Sequence, residues 1–126
     1  MIMKAPSASS SGRAGAAALA EVTQASALDS LIQGPTPLLA CFVDPRSHEA
    51  REVRALLEEV GAEFGEALAT AIVDARRGAL CRRHGVTVRP TFLLFGDGRE
   101  RLRLDGTVGP AALRSHLEFA LAQQTA

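Results

Sequence analysis

A chain of 126 residues, 47% of them hydrophobic, suffices for one compact domain and leaves no room for a second core. Fourteen basic residues balance fourteen acidic ones, so no net field draws the chain to nucleic acid or to an anionic membrane surface, and no apolar run is long enough to insert in a membrane. Cys41 and Cys81 stand far apart; they form neither a CxxC pair nor a zinc-ligand set, which excludes a disulfide framework and leaves at most one bridge.

Residues 1–20, MIMKAPSASSSGRAGAAALA, hold almost nothing large and apolar to bury and are read as a disordered extension preceding a domain over 21–126. A secretory signal is the competing reading, since Lys4 and Arg13 precede an Ala-rich stretch and Ala18-Leu19-Ala20 resembles a small-residue cleavage site. The stretch offers only Leu19 as an aliphatic side chain, so the expected location is the cytoplasm.

The first expected strand lies near Glu21 to Thr23. Leu28, Leu31 and Ile32 then share one helical face after Ser26, a suitable cap, and Gly34-Pro35 ends that helix. Leu38 to Val43 is a continuous apolar run of strand length, as a strand covered on both faces requires. Asp44-Pro45 opens a long helix with Val53, Leu56, Leu57, Val60 and Phe64 at spacings of three and four, and with Arg51, Arg54, Glu58, Glu59 and Glu63 on the wet side. Leu68 to Asp74 reads as a second apolar strand, and the helical stretch Ala79 to His84 stops at Gly85. Thr91 to Phe95, the turn Gly96-Asp97-Gly98 and the alternating Arg99 to Leu104 form a hairpin. Pro110 starts a last helix with Leu113, Leu117, Ala120 and Leu121 on one face. The order is βαβαβαββα, an α/β domain.

This order resembles the thioredoxin fold from about Glu21 to the C-terminus. Arg89-Pro90-Thr91 followed by FLLFGDG resembles that family's cis-proline loop, hairpin and turn. His84-Gly85-Val86 is similar to its Tyr-Gly-Val step, and Gly106 stands where the family keeps a glycine after the last strand. The resemblance implies a central mixed sheet of four to five strands flanked by helices on both faces. It also places Ser47-His48-Glu49-Ala50 where the Cys-Gly-Pro-Cys segment would be, so both redox sulfurs are missing. Thiol exchange needs a thiolate nucleophile and a second thiol to resolve the mixed disulfide, and an unassisted serine hydroxyl supplies neither.

The supporting positions have changed as well. The family's buried acid aligns with Cys41, its partner lysine near Thr70, and its two tryptophans with Val43 and Arg46. An ionisable pair in a buried strand is costly to keep without a role, so its loss fits a domain no longer built for thiol chemistry. Phe42-Val43-Asp44-Pro45-Arg46 with an acid soon after also resembles the hydrogenase-expression accessory proteins. These are thioredoxin-like chaperones without CxxC, thought to bind the twin-arginine signal peptide of an exported nickel-iron hydrogenase small subunit. The same step has a local explanation, because Asp caps helices and Pro fits a first turn.

A cis Pro90 would present the adjoining backbone to an extended peptide, or would only shape a tight turn. Arg46, His48 and Arg89 are expected around that edge as a modest positive rim, or as three solvated side chains. The candidate peptide-binding set is Arg46, Ser47, His48, Arg89, Pro90 and Thr91; no catalytic residue, metal or cofactor is expected. Cys81-Arg82-Arg83-His84 has a ligand-like CxxH spacing but lacks the further ligands that zinc needs. The leading function is thus a redox-inactive binding or chaperone module for a client protein or its signal peptide. A degenerate oxidoreductase using Cys41 or Cys81 alone, and a structural subunit of a larger assembly, are the alternatives, and the oligomeric state stays open.

Overall fold

A strand whose side chains are all apolar is stable only with both faces covered, and Leu38–Val43 is buried at every residue. The computed structural model describes residues 18–124, so most of the extension read at 1–20 lies outside the described residues. Its elements are β1 (Ala20–Val22), α1 (Ala25–Gln33), β2 (Leu38–Val43), α2 (His48–Phe64), β3 (Ala69–Asp74), α3 (Gly78–Arg83), β4 (Thr91–Gly96), β5 (Arg99–Asp105) and α4 (Pro110–Gln124), with a 3₁₀ turn at Gly65–Ala67. The βαβαβαββα order is the expected one. The sheet runs β1-β3-β2-β4-β5, with β1, β2 and β3 parallel and β4 antiparallel to both neighbours.

Alternate side chains of the strands feed two cores. Phe42, Val73, Leu93 and Phe95 meet Leu28 of α1 and Leu80 of α3 on one side. Leu39, Cys41, Phe92 and Leu94 meet Leu57 of α2 and Leu113 and Leu117 of α4 on the other. The sheet therefore separates the cysteines: Cys41 belongs to the second core and Cys81 packs against the first, and both are free thiols.

Two helix starts differ from the expectation. Gln24 precedes the first turn of α1 without a side-chain cap, and Ser26 lies inside the helix. Asp44-Pro45 closes a turn rather than opening α2. The Asp44 side chain accepts from the Arg46 amide at 2.9 Å, its carbonyl accepts from the Ser47 amide, and Ser47 is the cap, its Oγ accepting from the Ala50 amide at 3.2 Å. The first strand and the α3 boundaries are each displaced by one residue, and Leu68 sits just before its strand. Gly85 adopts φ +66° as a left-handed C-terminal residue, with the Val86 amide donating to the Cys81 carbonyl at 2.8 Å. Asp97 and Gly98, both at positive φ, form the two-residue hairpin loop between paired Gly96 and Arg99.

His84, just past α3, lays its ring against Phe42 and Phe95 at centroid distances of 5.9 and 5.6 Å. Its Nε2 is buried with no hydrogen-bond partner, while Arg103 donates to the His84 carbonyl at 2.6 Å and the Gly85 carbonyl at 3.1 Å. Burial, reinforced by the nearby Arg83 charge, pushes the imidazole below its ordinary value.

Leu117→Ala, in the floor of the second core, should cost about 2–5 kcal/mol in chemical denaturation, whereas Phe119→Ala, on the same helix but 69% exposed, should stay within about 0.5 kcal/mol. His84 contributes in its neutral form, so stability is full above the unfolded value near 6.5 and falls as pH drops through it toward the lower folded value. His84→Phe should remove that loss below about pH 6.5, read as a flatter Tm against pH. Asp74, held down to about 2 chiefly by its hydrogen bonds from Arg76, contributes a separate loss below its ordinary value of 3.8, which the variant should retain.

Candidate functional site

Because β4 runs against β2, the C-terminal ends of β2 and β3 share one edge of the sheet with the start of β4 and the end of β5. Short bonds tie the loops there. The Ala75 amide donates to the Val43 carbonyl at 3.1 Å, and the Gly106 amide donates to the Pro90 carbonyl at 2.7 Å. Thr91 Oγ1 donates to the Val88 carbonyl at 2.6 Å and lies 3.3 Å from the Asp105 carboxylate. The Arg89-Pro90 bond is cis.

The six sequence-selected residues are brought to this edge but do different things. Arg46, His48 and Arg89 stand at the surface, all three exposed. Ser47 has its hydroxyl committed to the α2 cap and to the Asp44 carbonyl. The Thr91 side chain is fully buried and braces the loop from inside. Arg89 makes no hydrogen bond or ion pair, from backbone or side chain, among the described residues.

Beside Pro90 runs an open groove of about 380 Å³ between α2 and the start of α4. Val53, Leu56, Pro90, Phe92, Val108 and Pro110 give it an apolar floor, and Glu49, Glu52 and Glu59 line it from α2. The rim on this side is thus acidic, and the expected arginines lie beyond the start of α2. Sequence reasoning does not find this acidic rim, because it reads Glu59 as part of a wet face and gives Glu49 and Glu52 no role. The available signal is the recurrence of glutamate near one side of a single helix, which an ordinary solvated face shows equally.

The arginine side is organised by two carboxylates. Buried Asp74 receives a bidentate pair from Arg76, with Nε at 3.0 Å and Nη2 at 2.8 Å, and Arg77 approaches to 3.5 Å. Arg76 also lies 3.8 Å from Asp44.

At the positions of the missing redox pair, Ser47 caps and Ala50 packs. Cys41 is fully buried in one cluster with Ala50 and Val53, and burial, with a further contribution from Glu49, pushes its thiol far up. A thiolate is disfavoured there. Thr70 is buried on β3, its side chain 3.5 Å from where a Cβ on Gly61 would stand. Cys81 and His84 do not act together: the Cys81 thiol donates to the Ala75 carbonyl at 3.4 Å, and the His84 ring lies between the two phenylalanines.

Comparison with known proteins agrees with this geometry. The model of the family described as hydrogenase-1 expression protein HyaE matches residues 13–108. A thioredoxin of Mycolicibacterium smegmatis is 33% identical over 103 residues, covering 79% of this chain and 92% of that protein. A point-mutant thioredoxin from Halobacterium salinarum NRC-1 superposes with a TM-score of 0.73 at 23% identity, over 81% of this chain and 89% of the other. Thioredoxin from Trypanosoma brucei brucei does so with a TM-score of 0.74 at 20% identity, over 88% and 97%. The α/β architecture is thus the thioredoxin fold, and the chain belongs to the HyaE hydrogenase-1 expression family.

Proposed function

We propose that this protein is a redox-inactive binding module that holds a peptide segment of a client along the Pro90 edge, acting in the cytoplasm on the signal peptide of an exported nickel-iron hydrogenase small subunit. The observation that carries it is Arg89: an exposed residue whose backbone N–H and C=O groups are unpaired among the described residues, next to an open apolar groove. An extended peptide that pairs with such a backbone gains main-chain hydrogen bonds, and the adjoining pocket receives alternate side chains. Family membership supports the client class, and the loss of both redox sulfurs supports binding without exchange.

Titration of the isotope-labelled chain with a hydrogenase small-subunit signal peptide tests this. The amides of Arg89, Thr91, Val53 and Val108 should shift together. Absence of any shift around Pro90 at high peptide concentration would sink the reading.

The identity to a thioredoxin favours a second reading, an oxidoreductase working through one thiol. Cys41 should react with alkylating agents only on unfolding, and insulin disulfides should remain intact with the native protein present. Insulin reduction accompanied by a mixed disulfide on Cys81 would put the enzyme in place of the binder.

A further inference from the structure

The site is divided by charge along the axis of α2. Ahead of the helix lie four exposed arginines on the loops that meet at the shared sheet edge: Arg76 and Arg77 sit against the carboxylates of Asp44 and Asp74, and Arg46 and Arg89 stand on the adjoining loops. The Arg46 and Arg89 side chains have no partner among the described residues. Along the helix lie Glu49, Glu52 and Glu59, all exposed; Glu49 and Glu52 are unpaired among the described residues, and Glu59 reaches only Arg114 at 3.7 Å. Neither arginine of α2 itself, Arg51 or Arg54, lines the groove. Glu49 stands in the first turn of α2, next to the arginines, and Glu52 and Glu59 follow further along, with the apolar floor around Pro90, Phe92 and Leu56 lining the same groove. At 1.5 Å per residue, Glu49 to Glu59 spans about 15 Å, the length of about four to five extended residues.

We propose that the site reads charge order in its ligand: the bound segment places an acidic residue over the arginine zone, apolar side chains over the floor, and a basic residue beside the glutamates. This rests on the peptide-binding reading and adds to it a polarity that fixes which way the segment lies. Charge complementarity of this kind sets register and excludes reversed partners more than it adds raw affinity. The positive end of the α2 dipole adds to the arginine side, where Glu49 of the first turn offsets part of it.

Two peptides of identical composition test it against the full chain. One has two glutamates, a Gly-Leu-Leu-Gly core and two lysines in that order; the other has the same core with one glutamate and one lysine at each end. At low salt the segregated peptide should bind on the order of tenfold more tightly. A paramagnetic label on its glutamate end should broaden amides near Arg46 and Arg77. The same label on its lysine end should broaden amides near Glu59. Equal affinities, or broadening at both zones from either label, would overturn charge reading while leaving peptide binding at Pro90 intact. Failure of both peptides and of the signal peptide to shift any amide around Pro90 would overturn both.

Discussion

Burial of β2 on both faces and along both edges is the constraint from which the site's position follows. Every one of its side chains is apolar and buried, and its backbone is paired with β3 on one side and β4 on the other. A strand like this has to sit in the middle of a sheet, since an edge would leave polar backbone groups unpaired. With a parallel partner on one side and an antiparallel one on the other, loops from three different strands must meet at a single edge. The turn at Asp44–Ser47, the Arg76–Arg77 turn and the Arg89–Pro90 loop come together for that reason, and α2 starts from the same place.

The core beneath that edge is apolar. Cys41, Ala50 and Val53 form one apolar cluster where the resemblance would put a carboxylate and a thiol. A buried charge without a tight partner costs several kcal/mol, roughly, so removing it returns stability that a redox site would have to give up. The groove floor is then set by packing: Val53 and Phe92 belong to the buried core and also line the groove. The polar side chains that remain at this end are exposed or fully committed, as in the bidentate Arg76 to Asp74 pair.

Much of the fold is legible in the sequence because its signals are local. The unbroken run Leu38 to Val43, the spacing of Val53, Leu57 and Val60, and Asp97-Gly98 each state their structure within a few residues. Helix starts are less so, since Ser26 and Asp44 are good caps by type. Which capping residue acts depends on where the preceding strand releases the chain. The groove is illegible for a different reason. It forms where α2 meets Val108 from the link between β5 and α4 and Pro110 at the start of α4, a juxtaposition of distant stretches of chain that no local pattern records. Arg46 and Arg89 follow from their loops and His48 from the start of α2, and a choice made on those positions passes over Glu49 and Glu52 although they adjoin them.

Net charge also misleads at this scale. Fourteen positive and fourteen negative side chains cancel over the whole chain, yet a ligand at the surface responds to charges within a Debye length of about 8–10 Å. At the α2 N-terminus four arginines outnumber Asp44, Asp74 and Glu49, and further along the helix Glu52 and Glu59 line the groove. Balanced composition therefore removes long-range steering and keeps a short-range field with a direction. A segment diffusing past is not drawn in from afar; it is sorted on contact by the order of its own charges. This suits a protein whose apolar floor, lined by no polar side chain other than the glutamates and Thr107, would otherwise accept any hydrophobic segment.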